Sequence, residues 1–458
     1  MVTTPGLGTG PPGHRFLGNL SDYNADPLAF MTDVSRRYGD VVPLRLGPLH
    51  AVLLSDPSAI EAVLVTQNRS FRKARGVRRL RTLLGNGIVI SEGEPWLRQR
   101  RLMQPAFHRA SVARYADAMV SRTTGALDRW RDGATVDIAV ELRRLTLEIA
   151  VETLFGAEVT RDEVRLVGDS LEVAGAQLQT RVSSLLMFLP DWVPTPGNRR
   201  MNAAIARLDR LVYRIIEDRR RSPGEREDLL ALLLAVADGD AAGMSDRQLR
   251  DEVITLLVAG HETTALTLTW ALYLLARHPA ADATLHTELA SVLHGRPPGL
   301  EDLPRLRFTE HVISETLRLY PAGYLTAREA IHDVDVNGYR IRKGTLVLMS
   351  QWARHRDPRV FEDPDAFRPA RWTEGLEKQL PRGDYFPFGM GPRQCIGASF
   401  AMQESVLVLA AMHLRFRFEP VSNDEALPIP MVALQPDRPI LLRLAVRDEQ
   451  GARSNLAG

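Results

Sequence analysis

This 458-residue chain holds one cysteine, Cys395, in the stretch FPFGMGPRQCIGASFAMQE (Phe386–Glu404). Gly389, Gly391, Gly397 and Pro392 crowd around it, and a helical apolar pattern begins just afterwards. A cysteine just before a helix has its sulfur near unpaired N–H groups and the positive end of the helix dipole, which favour thiolate. Glycines permit the positive-φ turns that aim N–H groups at sulfur, and they let backbone approach a flat ligand. Phe388 is placed to shield the sulfur, and Arg393 to reach an anionic group on the same ligand. A lone cysteine is ordinarily a small buried hydrophobe. This setting instead describes an axial thiolate on a haem iron.

A second chemical pair, Glu262 and Thr263, lies in AGHETTA (Ala259–Ala265), inside an apolar run. Threonine is tolerated there by bonding its hydroxyl back to a carbonyl one turn earlier. A glutamate is harder to accommodate, because burying it without a partner costs several kcal/mol. His261-Glu262 also begins like the zinc-protease motif H-E-x-x-H, but Ala265 stands where the second histidine belongs, so the zinc reading fails. Glu315 and Arg318, one helical turn apart, share a face.

The segment Phe388–Gly397 resembles the haem-binding signature of the cytochrome P450 family, F-x-x-G-x-R-x-C-x-G, at Phe388, Gly391, Arg393, Cys395 and Gly397. Other motifs follow in the family's order. AGHETTA resembles its oxygen-activation segment, Glu315 and Arg318 its E-x-x-R pair, and Arg371 in FRPARW the arginine that completes that network. Trp96 and Arg100 resemble its W-x-x-x-R contact with a haem propionate. The similarity runs from near residue 20 to past 440.

The resemblance implies a mainly α (α+β) fold with a minor β region. It implies a single haem-binding domain over 1–458, with residues 1–20 as an extended Pro/Gly-rich lead-in. Cys395 becomes the iron ligand, Thr263 and Glu262 handle dioxygen and protons beside a local kink at Gly260, and Trp96, Arg100, Arg328 and Arg393 anchor the propionates. Phe388, Gly391 and Gly397 shape the loop, while Glu315, Arg318 and Arg371 form a structural network. The implied reaction is insertion of one oxygen atom from O2 into a small apolar substrate, terpenoid or fatty-acid-like. The implied cofactor is haem b (iron protoporphyrin IX).

Electrons derived from NAD(P)H must come through separate chains, a ferredoxin and a ferredoxin reductase, since 458 residues leave no room for a fused reductase. Arg98 and Arg101 offer an electropositive face to an acidic donor. Family topology puts Phe71–Ile90, Leu185–Val193, the helix around Leu256–Ala259 and the turn Gly323–Thr326 over the haem. Leu185, Leu186, Met187, Phe188, Leu189 and Trp192 concentrate apolar area there. Arg72, Lys73 and Arg75 would grip an anionic head group if the substrate carried one. Two other readings share these residues: a peroxide-driven or isomerising haem–thiolate enzyme, and a non-catalytic haem-binding protein.

Several elements must position these groups. Ser245, with Gln248 three residues on, resembles a capping box. It opens a helix of about 30 residues running without proline to Pro279, roughly 45 Å long. FTEHVISETLRLY stops at Pro321. Asp26-Pro27 and Asp56-Pro57 read as N-caps with proline in the first turn. Val41–Leu46 and Ala51–Leu54 flank Gly47-Pro48 as a hairpin, and Asn337-Gly338 predicts another.

Composition narrows the class further. Apolar residues make up 45% and charged residues 25%, so disordered and fibrous classes are excluded. The 58 basic residues are balanced by 56 acidic ones, unlike the strong basic excess of a nucleic-acid binder. One cysteine excludes a disulfide framework and any Cys-rich metal site. Neither a signal peptide nor an apolar run of membrane-spanning length is evident. The expected protein is cytoplasmic and monomeric, without nucleic-acid partners or a membrane span.

Overall fold

A computed structural model describes residues 10–182, 193, 195–222, 228–237 and 244–447. The architecture is mainly helical, with small sheets near the N-terminus and toward the C-terminus. Its axis is the helix Asp246–Arg277, 32 residues and about 48 Å long. Ser245 Oγ accepts from Gln248 N at 3.2 Å, so half of a capping box forms; the Gln248 side chain turns instead to Glu252. Most of this helix is buried, which leaves its threonine hydroxyls to find partners within the helix. They do so by back-bonding: Thr264, Thr267 and Thr269 donate to the carbonyls of Gly260, Thr263 and Ala265.

The helix Ile138–Phe155 packs along this axis, and the helices Arg307–Leu319 and Ala398–Arg415 pack against it from other sides. Their apolar faces merge into one large core cluster that includes Phe155, Leu257, Trp270, Val312 and Leu407. Arg307–Leu319 ends just before Pro321, with Tyr320 at its C-cap.

Five strands form the main sheet: β1 (Val41–Leu46), β2 (Leu49–Leu54), β3 (Phe71–Lys73), β4 (Thr326–Ala330) and β5 (Leu346–Met349), in the order β1-β2-β5-β4-β3. β1 and β2 make the expected hairpin, two residues longer in its second strand, with Val41 opposite Leu54. β2 then pairs parallel with β5, nearly 300 residues away, and β4 pairs antiparallel with β5 and with β3. Asn337 (φ 50°) and Gly338 (φ 87°) turn the second hairpin, Val334–Val336 against Tyr339–Ile341. Positive φ at both residues is what a two-residue turn between twisted strands requires. Asp26 and Asp56 cap their helices, accepting from Ala29 N at 2.9 Å and Ala59 N at 2.8 Å. Of the proline-rich lead-in, residues 10–19 lie against β1: Gly18 bridges to Leu46, and Asn19 reaches back to the carbonyls of Pro11 and Pro12.

Candidate active site

The cysteine loop folds back on itself. Gly389 N donates to the Phe386 carbonyl, Cys395 N to the Phe388 carbonyl and Gln394 N to the Gly391 carbonyl, at 2.9, 2.9 and 3.0 Å. Gly391 has φ +68°, and a Cβ there would stand 2.3 Å from the carbonyl oxygen of Leu64, so the loop seats only as glycine against the turn Ala62–Thr66. Cys395 lies three residues ahead of Ala398–Arg415, whose N-cap is Gly397. Burial raises the thiol pKa, while the Gly397 N–H and the Arg100 guanidinium oppose the rise. Yet Cys395 retains accessible surface.

Cations gather beside it. The helix Gly93–Met103 presents Trp96 and Arg100 four residues apart, on one face. Arg100 Nη1 donates to the Gln394 carbonyl at 2.9 Å. The Arg393 guanidinium stacks 3.8 Å from the Trp96 ring centroid, donates to the Ser91 carbonyl at 2.8 Å and pairs with Glu92. The β3–β4 register sets Lys73 opposite Arg328. Like charges directly opposite destabilise a sheet. Burial, then the neighbouring Arg393 and Arg328 charges, bring Lys73 down to about 7. Burial brings Arg393 down to about 10, with Arg328 and Arg100 adding to the effect. Burial also lowers Arg328 and Arg100. Glu92 is a single carboxylate acting on Lys73, Arg328 and Arg393, and sequence reasoning missed both it and Lys73's place here.

These residues fit a haem. Two propionates would complement the excess positive charge, and the sulfur is a soft donor suited to iron. Gly397 adds a geometric argument. Its φ is −88°, and a Cβ would meet only Phe107 Cε1 at 3.8 Å, so neither backbone nor protein neighbours demand glycine there. A flat ligand lying over the sulfur would. Arg72 and Arg75 do not serve as a head-group grip: together with Arg78 they close on the buried carboxylate of Glu329. Leu185, Leu186, Met187, Phe188, Leu189 and Trp192 lie outside the described residues.

Glu262 and Thr263 sit on the axial helix, which is uncovered at this turn: Ala259 is exposed although Leu257 and Thr264 on either side are buried. The helix continues through Gly260 to Arg277. Thr263 Oγ1 donates to the Ala259 carbonyl at 2.8 Å, which satisfies the hydroxyl donor. Glu262 Oε1 accepts from Gln435 Nε2 at 2.9 Å. Burial raises the Glu262 pKa, against the opposing Arg143 charge and the Gln435 hydrogen bond. His261 is a packing residue. Its Nδ1 meets the Leu257 carbonyl at 2.7 Å, and burial lowers its pKa to about 4.

The Glu315 carboxylate, fully buried, binds Arg318 through two hydrogen bonds and Arg371 through one. It also accepts from Arg368 N and from the Trp372 indole. Trp372 was not evident as a member from spacing, although it follows Arg371 directly. Arg98 and Arg101 are both exposed, as helical offset predicts.

A thiol at a helix N-terminus, a half-buried cationic rim and an acid–alcohol pair on a long helix together make a site that a haem would fit. Residues 9–444 match the cytochrome P450 family model, and the chain belongs to that family. It is 38% identical over 93% of its length to cyclooctatin synthase of Streptomyces melanosporofaciens, covering 92% of that protein. It is also 38% identical to cyclooctat-9-en-7-ol 5-monooxygenase of the same organism, over 90% of each chain. Pentalenene oxygenase of Streptomyces avermitilis is 35% identical, over 96% of this chain and 97% of that one. The protein is a cytochrome P450 monooxygenase, of a family that uses haem b, O2 and NAD(P)H-derived electrons delivered through redox partners. Among the described residues, no helix is long and apolar enough to cross a membrane.

Proposed function

We propose that this chain works as one undivided catalytic unit that oxygenates a terpenoid. The observation that carries the reading is the Cys395 sulfur, accessible yet held by the Gly397 N–H and beside the Arg100 charge. In this reading Cys395 Sγ would bind the haem iron, Phe388 would shield the sulfur, and Gly391 and Gly397 would let the loop and the cofactor approach. Trp96, Arg100, Arg328 and Arg393 hold the propionates, and Glu315, Arg318 and Arg371 brace the loop structurally. Bound haem supplies reductive dioxygen activation, leading to insertion of one oxygen atom into a C–H or C=C bond. Glu262 takes up and releases a proton at its carboxyl, and the Thr263 hydroxyl orients that proton's path by exchanging its Ala259 partner.

The terpenoid assignment rests on relatives named for cyclooctat-9-en-7-ol and pentalenene. The commitment of Arg72 and Arg75 to Glu329 favours it over a fatty acid. Electrons arrive from an acidic ferredoxin reduced by a ferredoxin reductase, and the enzyme is a cytoplasmic monomer. Titrating cyclic terpene hydrocarbons and alcohols against the ferric Soret band tests the substrate class, since a ligand that displaces iron-bound water changes the spin state. Terpenoids should give the shift and then a product labelled from 18O2 with ferredoxin, reductase and NADPH. A shift with fatty acids alone would overturn the class, and turnover with peroxide but none with ferredoxin, reductase and NADPH would overturn the monooxygenase route.

A further inference from the structure

The acid on the axial helix has a neutral partner carried by a hairpin. Glu262 Oε1 accepts from Gln435 Nε2 at 2.9 Å. Gln435 lies in the strand Leu434–Pro436, opposite Ile429 of Pro428–Pro430. Its neighbour Leu434 is fixed on both sides. The Leu434 N–H donates to the Ala322 carbonyl at 3.1 Å, and its own carbonyl accepts from Trp270 Nε1 at 3.1 Å. Trp270 is itself stacked on Tyr320, with centroids 4.1 Å apart. Trp270 and Glu262 belong to one helix, two turns apart, so the hairpin is fastened to it at two levels about 12 Å apart.

The chemistry of the partner matters. A side-chain amide carries both donors and an acceptor, so it can donate to a carboxylate and, turned over, accept from a carboxylic acid. A guanidinium has donors only and would hold the carboxyl ionised. The charged group acting on Glu262 from the neighbouring helix Ile138–Phe155 is Arg143. His261 alongside is kept neutral by burial and engaged with Leu257.

We propose that Gln435 is a positioning residue for proton delivery, which holds the Glu262 carboxyl by Oε1 and leaves Oε2 to exchange the proton. The amide follows both protonation states without breaking an ion pair. The proton that leaves Oε2 is replaced from water, so the carboxyl is unchanged over a cycle. The inference rests on Glu262 being the proton-delivering acid.

The experiment uses the ferric holoenzyme and its Gln435→Met, Gln435→Arg and Glu262→Gln variants, with the ferrous–CO spectrum certifying intact haem ligation. The infrared C=O stretch of protonated Glu262, assigned by its loss in Glu262→Gln, is followed against pH. Gln435→Met should raise its midpoint by about one pH unit, the size of a lost hydrogen bond to a charged acceptor, and Gln435→Arg should lower it. A residue that merely braces the hairpin would not move the midpoint in opposite directions. Product formed per NADPH consumed should fall severalfold in both. An unmoved midpoint in a folded variant, or a moved midpoint with unchanged product yield, overturns the role of Gln435. If Glu262→Gln leaves product yield unchanged, the reading of Glu262 falls instead.

Discussion

Glu315→Ala removes a carboxylate on which five hydrogen bonds converge. Two come from Arg318, at 2.9 and 2.8 Å. Arg371 Nε, Arg368 N and Trp372 Nε1 each contribute one at 2.9 Å. Arg318 has 0% side-chain exposure. Its other acceptors are the neutral carbonyls of His355, Pro364 and Ala366. Deleting the acid therefore strands two guanidinium groups facing each other away from water. Breaking such a buried pair costs on the order of 3–5 kcal/mol, a large share of the ~5–15 kcal/mol that holds a typical domain.

Burial alone would raise the Glu315 pKa, but the Arg318 hydrogen bond and the Arg318 and Arg371 charges hold it below the ordinary value. A depressed folded pKa contributes stability above the unfolded value of about 4.3, and that contribution is lost as pH falls toward the folded value. Holoprotein yield, haem content and circular-dichroism melting at neutral pH read the variant. Melting of the native protein as pH is lowered through the glutamate range reads the titration. Glu315→Gln should fare nearly as badly, because it presents new donors to the guanidinium groups. Normal yield, haem content and melting for Glu315→Ala would refute the reasoning.

Thr263→Ala should retain haem and substrate binding while the yield of product per NADPH drops, because the hydroxyl acts on proton transfer rather than on binding; an unchanged yield would remove that role. Reduction by an acidic ferredoxin should slow as ionic strength rises, since charge steering is screened. Arg98→Glu should slow it further at low salt in stopped-flow reduction, and a salt-independent rate would point to an apolar docking surface.

What the sequence makes legible here is mostly local. The Ser245 cap, the Asp26 and Asp56 caps and the Asn337-Gly338 turn depend on residues within a few positions, and they form where those residues stand. Glu315 with Arg318 is legible because one helical turn joins them. The rest depends on pairing across long separations. Arg72 lies opposite Glu329, and Lys73 opposite Arg328, only because β3 registers against β4 more than 250 residues later. No periodicity in either segment encodes that register. It decides that Arg72 is satisfied while Lys73 joins the cationic rim. Gln435 escaped notice for the same reason: a lone glutamine between leucine and proline signals nothing until the hairpin meets the axial helix. A glycine at position 260 permits a break without compelling one, and the Thr263 hydroxyl donates to the Ala259 carbonyl one turn back.

The central claim, that Cys395 binds haem iron as thiolate, is tested most directly by the absorption spectrum of the reduced, carbon monoxide-bound holoprotein. Strong electron donation from sulfur shifts the Soret band to the red, so the account predicts that shifted band in the native chain. It also predicts loss of the band in Cys395→Ala, where no second cysteine can substitute. A native spectrum without the red shift, or a shifted band that survives the substitution, would contradict it.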